Sequence, residues 1–184
     1  MSLLKTYQEK IRPELKKELH IKNDFQVPAI KKIVVNVGIG TYVAKVNSDF
    51  SPVEETIRNI TGQKPVVRKS KKSVSNFNKL REGQPNGLVV TLRRQKMFDF
   101  LEKLITITFP RIRDFKGISD KIFDGKGNIN LGLTDHTVFP EVNVQDAVKP
   151  HGIQITLVTN TSKDSEARAL LDKIGFPFRK RKAK

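Results

Sequence analysis

Apolar residues recur along this chain with two different periods, and segments of the two kinds are interleaved. Leu3, Leu4, Tyr7, Ile11, Leu15 and Leu19 fall mostly three and four apart, the spacing of one helical face. Pro13 lies inside that stripe and predicts a kink or a pair of short helices. The period then shortens to two: Ile33, Val35, Val37 and Ile39 alternate with Val34, Asn36 and Gly38, which sends Asn36 to the face opposite the apolar set of a strand. A second helix is signalled from Ser51, with Ser51 as N-cap, Pro52 at N1, Glu54 completing a capping box and Gly62 as the stop.

Val66 to Ser70 reads as a short strand, and Leu88 to Arg93 as another, with Leu88, Val90 and Leu92 on one face and Val89, Thr91 and Arg93 on the other. A helix over about 95–107 buries Phe98, Leu101, Leu104 and Ile105, and Pro110 stands near its end. Asp124-Gly125 with Gly127 predicts a tight turn. Ile129, Leu131 and Leu133, and later Ile153, Ile155 and Leu157, again alternate with polar or small residues. A last helix over about 163–174 is expected to be capped by Thr161 or Ser162 and stopped by Gly175. Four or five strands with one apolar and one mixed face, interleaved with narrow-striped helices, predict an α+β fold: a mainly antiparallel sheet with helices packed on one face. The open face would carry Asn36, Thr91 and Arg93. The pattern supports a single domain over residues 1–178, a long loop at about 69–84 and a tail over 179–184.

Charge sharpens this picture. The chain carries 35 basic and 19 acidic residues, a formal charge of +16 on 184 residues. The excess is concentrated in Lys64 to Arg81, KPVVRKSKKSVSNFNKLR, which has seven Lys/Arg, no Asp or Glu, and the aromatic Phe77. Such a segment cannot neutralise itself, and phosphate backbone is the commonest polyanion a basic protein meets. Ser70, Ser73, Ser75, Asn76 and Asn78 add groups that bond phosphate and sugar. The open sheet face and this segment together predict an RNA-binding protein.

Other chemistry finds little support. No apolar run approaches the roughly 20 residues that span a bilayer, and no secretion or lipidation signal is expected. The absence of cysteine excludes disulfides and Cys-based zinc sites and fits a reducing, cytoplasmic setting. His20, His136 and His151 are scattered without ligand spacing, so no metal site is expected. Gly38-Ile39-Gly40 lacks the third glycine of a dinucleotide fingerprint, position 43 being Val, and reads as a turn or a close backbone approach. No nucleophile, acid–base pair or cofactor motif emerges, and no enzyme activity or cofactor is expected.

Several blocks in register carry a family likeness: IVVNVGIG, TGQKPVVRKSKKSVSNFNKLREGQPNG, VTLR, FLEKLITITFPRIRDFKGIS, FDGKGN and ALLDKIGFPF. In this order, from about Leu3 to Arg179, the chain resembles the bacterial-type large-subunit ribosomal protein L-five family, which binds 5S rRNA in the central protuberance. The resemblance implies a structural component of the large ribosomal subunit, with 5S rRNA and 23S-type rRNA as partners. By position, it implies 5S rRNA contacts at Asn36, Gln63, Thr91 and Arg93, with Lys64 beside Gln63. It implies that the loop bearing Lys69, Lys71, Lys72, Ser73, Phe77, Lys79 and Arg81 approaches the peptidyl-site tRNA. It further implies that Arg111, Arg113, Asp114 and Phe115, together with the segment near 134–138, face the small-subunit head protein S-thirteen. Asn86, where an apolar residue is common, and the basic tail depart from the family pattern. The alternative reading is a free RNA-binding chaperone or regulator using the same sheet.

Overall fold

The computed structural model describes residues 3–40, 50–73, 81–142 and 151–179. Among the described residues there are five strands: β1 (Ile30–Gly38), β2 (Val66–Lys69), β3 (Pro85–Leu92), β4 (Ile129–Leu133) and β5 (Ile153–Thr159). They form one sheet in the order β2-β3-β1-β5-β4. Val66 pairs with Val89 in antiparallel register. The other neighbours run antiparallel as well. The Ile39 N–H at the end of β1 meets the Asn86 carbonyl at the start of β3, and the Asn160 N–H past β5 meets Ala29 before β1. Thr156 of β5 bonds Asn130 of β4, while Thr159 bonds Asn128.

Among the described residues the longer helical runs are α1 (residues 3–18), α2 (Ser51–Thr61), α3 (residues 94–111) and α4 (Asp164–Ile174), beside short 3-10 turns at Asp24–Gln26, Asp120–Ile122 and His136–Val138. By contacts the chain divides into two compact units, one of Met1–Ile33, Leu92–Leu131 and Thr156–Lys184, the other of Val34–Thr91 and Gly132–Ile155. In the first unit Tyr7 and Phe98 lie 5.7 Å apart, the Leu3 N–H donates to Glu102, and Lys173 of α4 reaches Glu14 and Glu18 of α1. In the second, α2 buries Val53, Ile57 and Ile60.

The predicted strand registers hold. Ile33, Val35, Val37, Leu88, Val90, Leu92, Ile129, Leu131, Ile153, Ile155 and Leu157 are buried. Asn36, Val89, Thr91, Thr156 and Val158 are half-buried, and Asn130 and Gln154 exposed. This is the one-sided burial expected of an antiparallel sheet.

The two helical prolines are accommodated in the same way. As the position of Pro13 predicts, run α1 consists of two short helices, Leu3–Thr6 and Arg12–Glu18, joined by a π-turn over Tyr7–Ile11 in which the Arg12 N–H reaches back to the Tyr7 carbonyl. Pro110 is likewise preceded by a π-turn over Leu104–Thr108, with the Phe109 N–H on the Leu104 carbonyl. A helical proline lacks an N–H and crowds the carbonyl four residues back; widening the preceding turn is one way a helix accommodates this.

The glycine stops are as predicted: Gly62 and Gly175 sit at φ 64° and 93°, the left-handed region. Helix α2 starts one residue earlier than expected, with Phe50 at the N-cap. Helix α4 has Lys163 there instead, while the Thr161 hydroxyl accepts from the Lys163 N–H and donates to Glu166. The Asp124 carboxylate holds its turn by accepting from the N–H groups of Lys126 and Asn128. A Cβ on Gly40 would come within 2.6 Å of the Asn86 side chain, so that glycine marks a close approach.

Candidate nucleic-acid interface

The non-core face of the sheet is built by register alone. Asn36 on β1 is flanked by the buried Val35 and Val37, so its amide emerges on the other side, where Nδ2 donates to Gln154 Oε1 at 3.4 Å. Gln63 is placed by a different device. Helix α2 ends in left-handed Gly62, the Thr61 hydroxyl donates to the Ile57 and Gln63 carbonyls, and the Gln63 N–H returns to it. That turn aims Gln63 Nε2 at the Thr91 carbonyl on β3, 3.4 Å away.

The structure thus joins Gln63 to Thr91 and Asn36 to Gln154. Among the described residues no hydrogen bond links Asn36 to Gln63. Both amide bonds are at the long end of useful geometry, and each amide has further donor or acceptor capacity. Lys64 is exposed, its Nζ 3.9 Å from Glu54. Gln154, Thr156 and Asn130 also belong to this face. The same alternation that singled out Asn36 places them there, but an ordinary polar residue in a strand carries little signal of its own.

Arg93 is extended and exposed, and Arg94 after it adopts φ 53°. A left-handed non-glycine residue costs of order 1 kcal/mol, and nothing in the neighbouring residues signals it.

The base of the basic loop is fastened. The Ser70 N–H donates to the Gln84 carbonyl, the Gly83 N–H to Ser70, the Arg81 N–H to the Gln84 side chain, and the Glu82 N–H to Ser73 Oγ. Lys69, Lys71, Lys72, Ser73 and Arg81 are all exposed. Phe77 and Lys79, and the tail beyond Arg179, lie outside the described residues.

In the loop after α3, Arg111, Arg113 and Asp114 are exposed or nearly so, with Asp114 at φ 53°. Phe115 is half-buried and stacks on Phe109 at 5.4 Å, and Phe109 meets Phe176 edge-on at 5.3 Å. An aromatic that looks like a free contact in sequence is therefore also part of a packed cluster.

The histidines are less scattered than their numbering suggests. His136 and His151 stack with ring centroids 3.8 Å apart, and the His151 N–H donates to His136 Nδ1. Burial holds His136 below imidazole's usual 6.5, partly offset by the Asp135 carboxylate. Among the described residues no group of three or more His, Asp or Glu side chains could hold a metal ion, and no helix is long and apolar enough to cross a membrane.

Residues 23–81 match the family model described as "Ribosomal protein L5", and residues 85–178 match the model of the C-terminus of the same ribosomal protein family. The large ribosomal subunit protein uL5 of Desulfatibacillum aliphaticivorans is 46% identical over 181 residues, covering 98% of this chain and 100% of its own. That of Syntrophotalea carbinolica is 46% identical over 179 residues, 97% and 96% of the two chains. That of Corynebacterium glutamicum strain R is 48% identical over 177 residues, 96% and 92%. The chain belongs to the uL5 family. uL5 proteins are structural, rRNA-binding components of the large ribosomal subunit and not enzymes, which places this chain in the cytoplasmic ribosome. Asn36, Gln63 and Lys64 lie within the first match, Thr91 and Arg93 within the second.

Proposed function

We propose that this uL5 protein anchors 5S rRNA in the large subunit through the non-core face of its sheet, with Asn36, Gln63, Lys64, Thr91 and Arg93 as contacts. The observation that carries this reading is the pair of long amide hydrogen bonds, Asn36 to Gln154 and Gln63 to Thr91, on a half-open face. Short polar groups held by rigid strands make directional bonds to an RNA surface of fixed shape. Their intramolecular partners keep them oriented without using their full bonding capacity.

In the same reading the basic loop over 69–84 reaches the peptidyl-site tRNA, its Lys69, Lys71, Lys72 and Arg81 having no acidic partner among the described residues. Arg111, Arg113, Asp114 and Phe115 face the small-subunit head protein. Their support is exposed charge on a loop positioned by the Phe109–Phe115 stack.

The test is 5S rRNA affinity. Asn36→Ala and Thr91→Val each weaken binding by about 1–3 kcal/mol, the cost of leaving an RNA polar group desolvated and unpaired. Wild-type affinity in both variants rejects the assignment of this face.

A further inference from the structure

Phe25 is 87% exposed, the most exposed of the large hydrophobic side chains described. It is presented on a fastened 3-10 turn, Asp24–Gln26. The Phe25 N–H donates to Asn23 Oδ1, Arg12 donates to the Asp24 carbonyl, and Lys16 pairs with the Asp24 carboxylate at 2.5 Å. The strand that follows is pinned by Asn160, whose side chain donates to the Val27 carbonyl and accepts from the Ala29 N–H. An exposed ring is ordinary on a loose loop. Here the backbone that carries it is ordered by these polar contacts on both sides, so the ring is preorganised to meet something.

Its surroundings say what. Phe25 borders a groove of about 900 Å³ that is also lined by His20, Lys22, Lys31, Asn160 and Lys163. Lys163 is neutralised by Glu166 at 3.1 Å. Lys22 and Lys31 make no ion pair among the described residues. Leu19 and Ile21 also line the groove but are half-buried, so the exposed apolar surface it offers is chiefly the Phe25 ring, set beside two cations without an acidic partner. A nucleotide is suited to both, since every base has a face to stack on an aromatic and brings phosphates for the lysines.

We propose that Phe25 and this groove hold an unstacked base of ribosomal RNA, stacked on the Phe25 ring, with the flanking phosphates against Lys22 and Lys31. None of these residues belongs to the sheet-face assignment, and the proposal does not rest on it.

The chain contains no tryptophan, so Phe25→Trp installs a single indole at a position whose exposure leaves folding undisturbed. The full-length variant is titrated separately with protein-free 5S rRNA, with protein-free large-subunit rRNA and with polyphosphate. Expected is saturable quenching of the indole by at least one RNA and none by polyphosphate, which carries charge without bases. In the same background, Lys22→Ala with Lys31→Ala raises the half-quenching RNA concentration about fivefold or more. Three results overturn the proposal: no quenching by either RNA, equal quenching by polyphosphate, or an emission change that appears only when the variant is assembled with other ribosomal proteins, which assigns the ring to a protein neighbour. If the indole is silent while Asn36→Ala still weakens 5S binding, the groove assignment alone falls.

Discussion

The two faces of the sheet are made by the same strands, one residue out of phase, and they have opposite sensitivities. On β3, Leu88, Val90 and Leu92 are 0–1% exposed, whereas the intervening Val89 and Thr91 are less completely covered. On β1 the buried Val35 and Val37 enclose Asn36. Burial of one face locks the register, because a slip of one residue would drive Thr91 and Asn36 inward and expose the valines and leucines. The polar face is therefore positioned by residues that never touch it. Its own side chains are free to differ chemically without disturbing the fold.

The sharpest break of this contrast is a pair of adjacent substitutions. Val90→Asp buries an unpaired carboxylate and costs more than about 4 kcal/mol, enough to prevent recovery of folded soluble protein. Val89→Asp, one position away on the half-open face, costs about 1 kcal/mol or less and weakens RNA binding by placing a negative charge there. Circular dichroism melts of the two read this directly, and a normally folding Val90→Asp would mean that the register is off by one.

A smaller effect separates the open face from the basic loop. Removing one phosphate contact lowers the magnitude of the log–log salt dependence of binding by about 0.7 to 0.9. A Lys69/Lys71/Lys72 triple alanine variant is expected to keep the wild-type slope for 5S rRNA while binding tRNA less well. A slope reduced by about two or three units would show that the loop, and not the sheet face alone, holds 5S phosphates.

Protonation tests the buried side reversibly. Burial lowers the His136 pKa in the folded chain, so near and below 6.5 the unfolded chain binds a proton that the folded chain resists. Stability contributed by the neutral, buried form is full above about pH 7 and is lost as pH falls through 6.5 and below, with a slope of at most about 1.4 kcal/mol per pH unit. His136→Asn, which keeps an acceptor near the Nδ1 position, removes that part of the slope in denaturant titrations between about pH 5 and 7.5.

The smallest effect belongs to the solvent-exposed ion pairs of the first unit. Lys173 has its pKa raised by hydrogen bonds to Glu14 and Glu18, yet solvent screens the interaction, and Lys173→Ala is expected to shift the melting temperature by no more than the scatter between replicate melts.

How far the sequence reached follows from the range of the forces involved. Strand parity, the glycine stops at Gly62 and Gly175 and the Asp124 turn were legible because each depends on residues within a few positions of one another. Alternation placed Asn36 and Thr91 on the non-core face, but only Asn36, an Asn within a strand, carried a mild signal of its own, a Thr there being ordinary. Phe115 and Phe25 were not legible in this way. Burial of the first against Phe109 and exposure of the second depend on what lies across from them, and nothing adjacent in the chain encodes that. The sequence by itself determined the family, the α+β class, the core face of β1, β3, β4 and β5 and the excess of positive charge. Only the tertiary structure decided the central place of β1 between β3 and β5, the π-turns that carry α1 and α3 through Pro13 and Pro110, the stacking of His136 on His151 and the aim of Gln63 at Thr91. These are choices among partners far apart in sequence, and packing makes them only once the whole chain is folded.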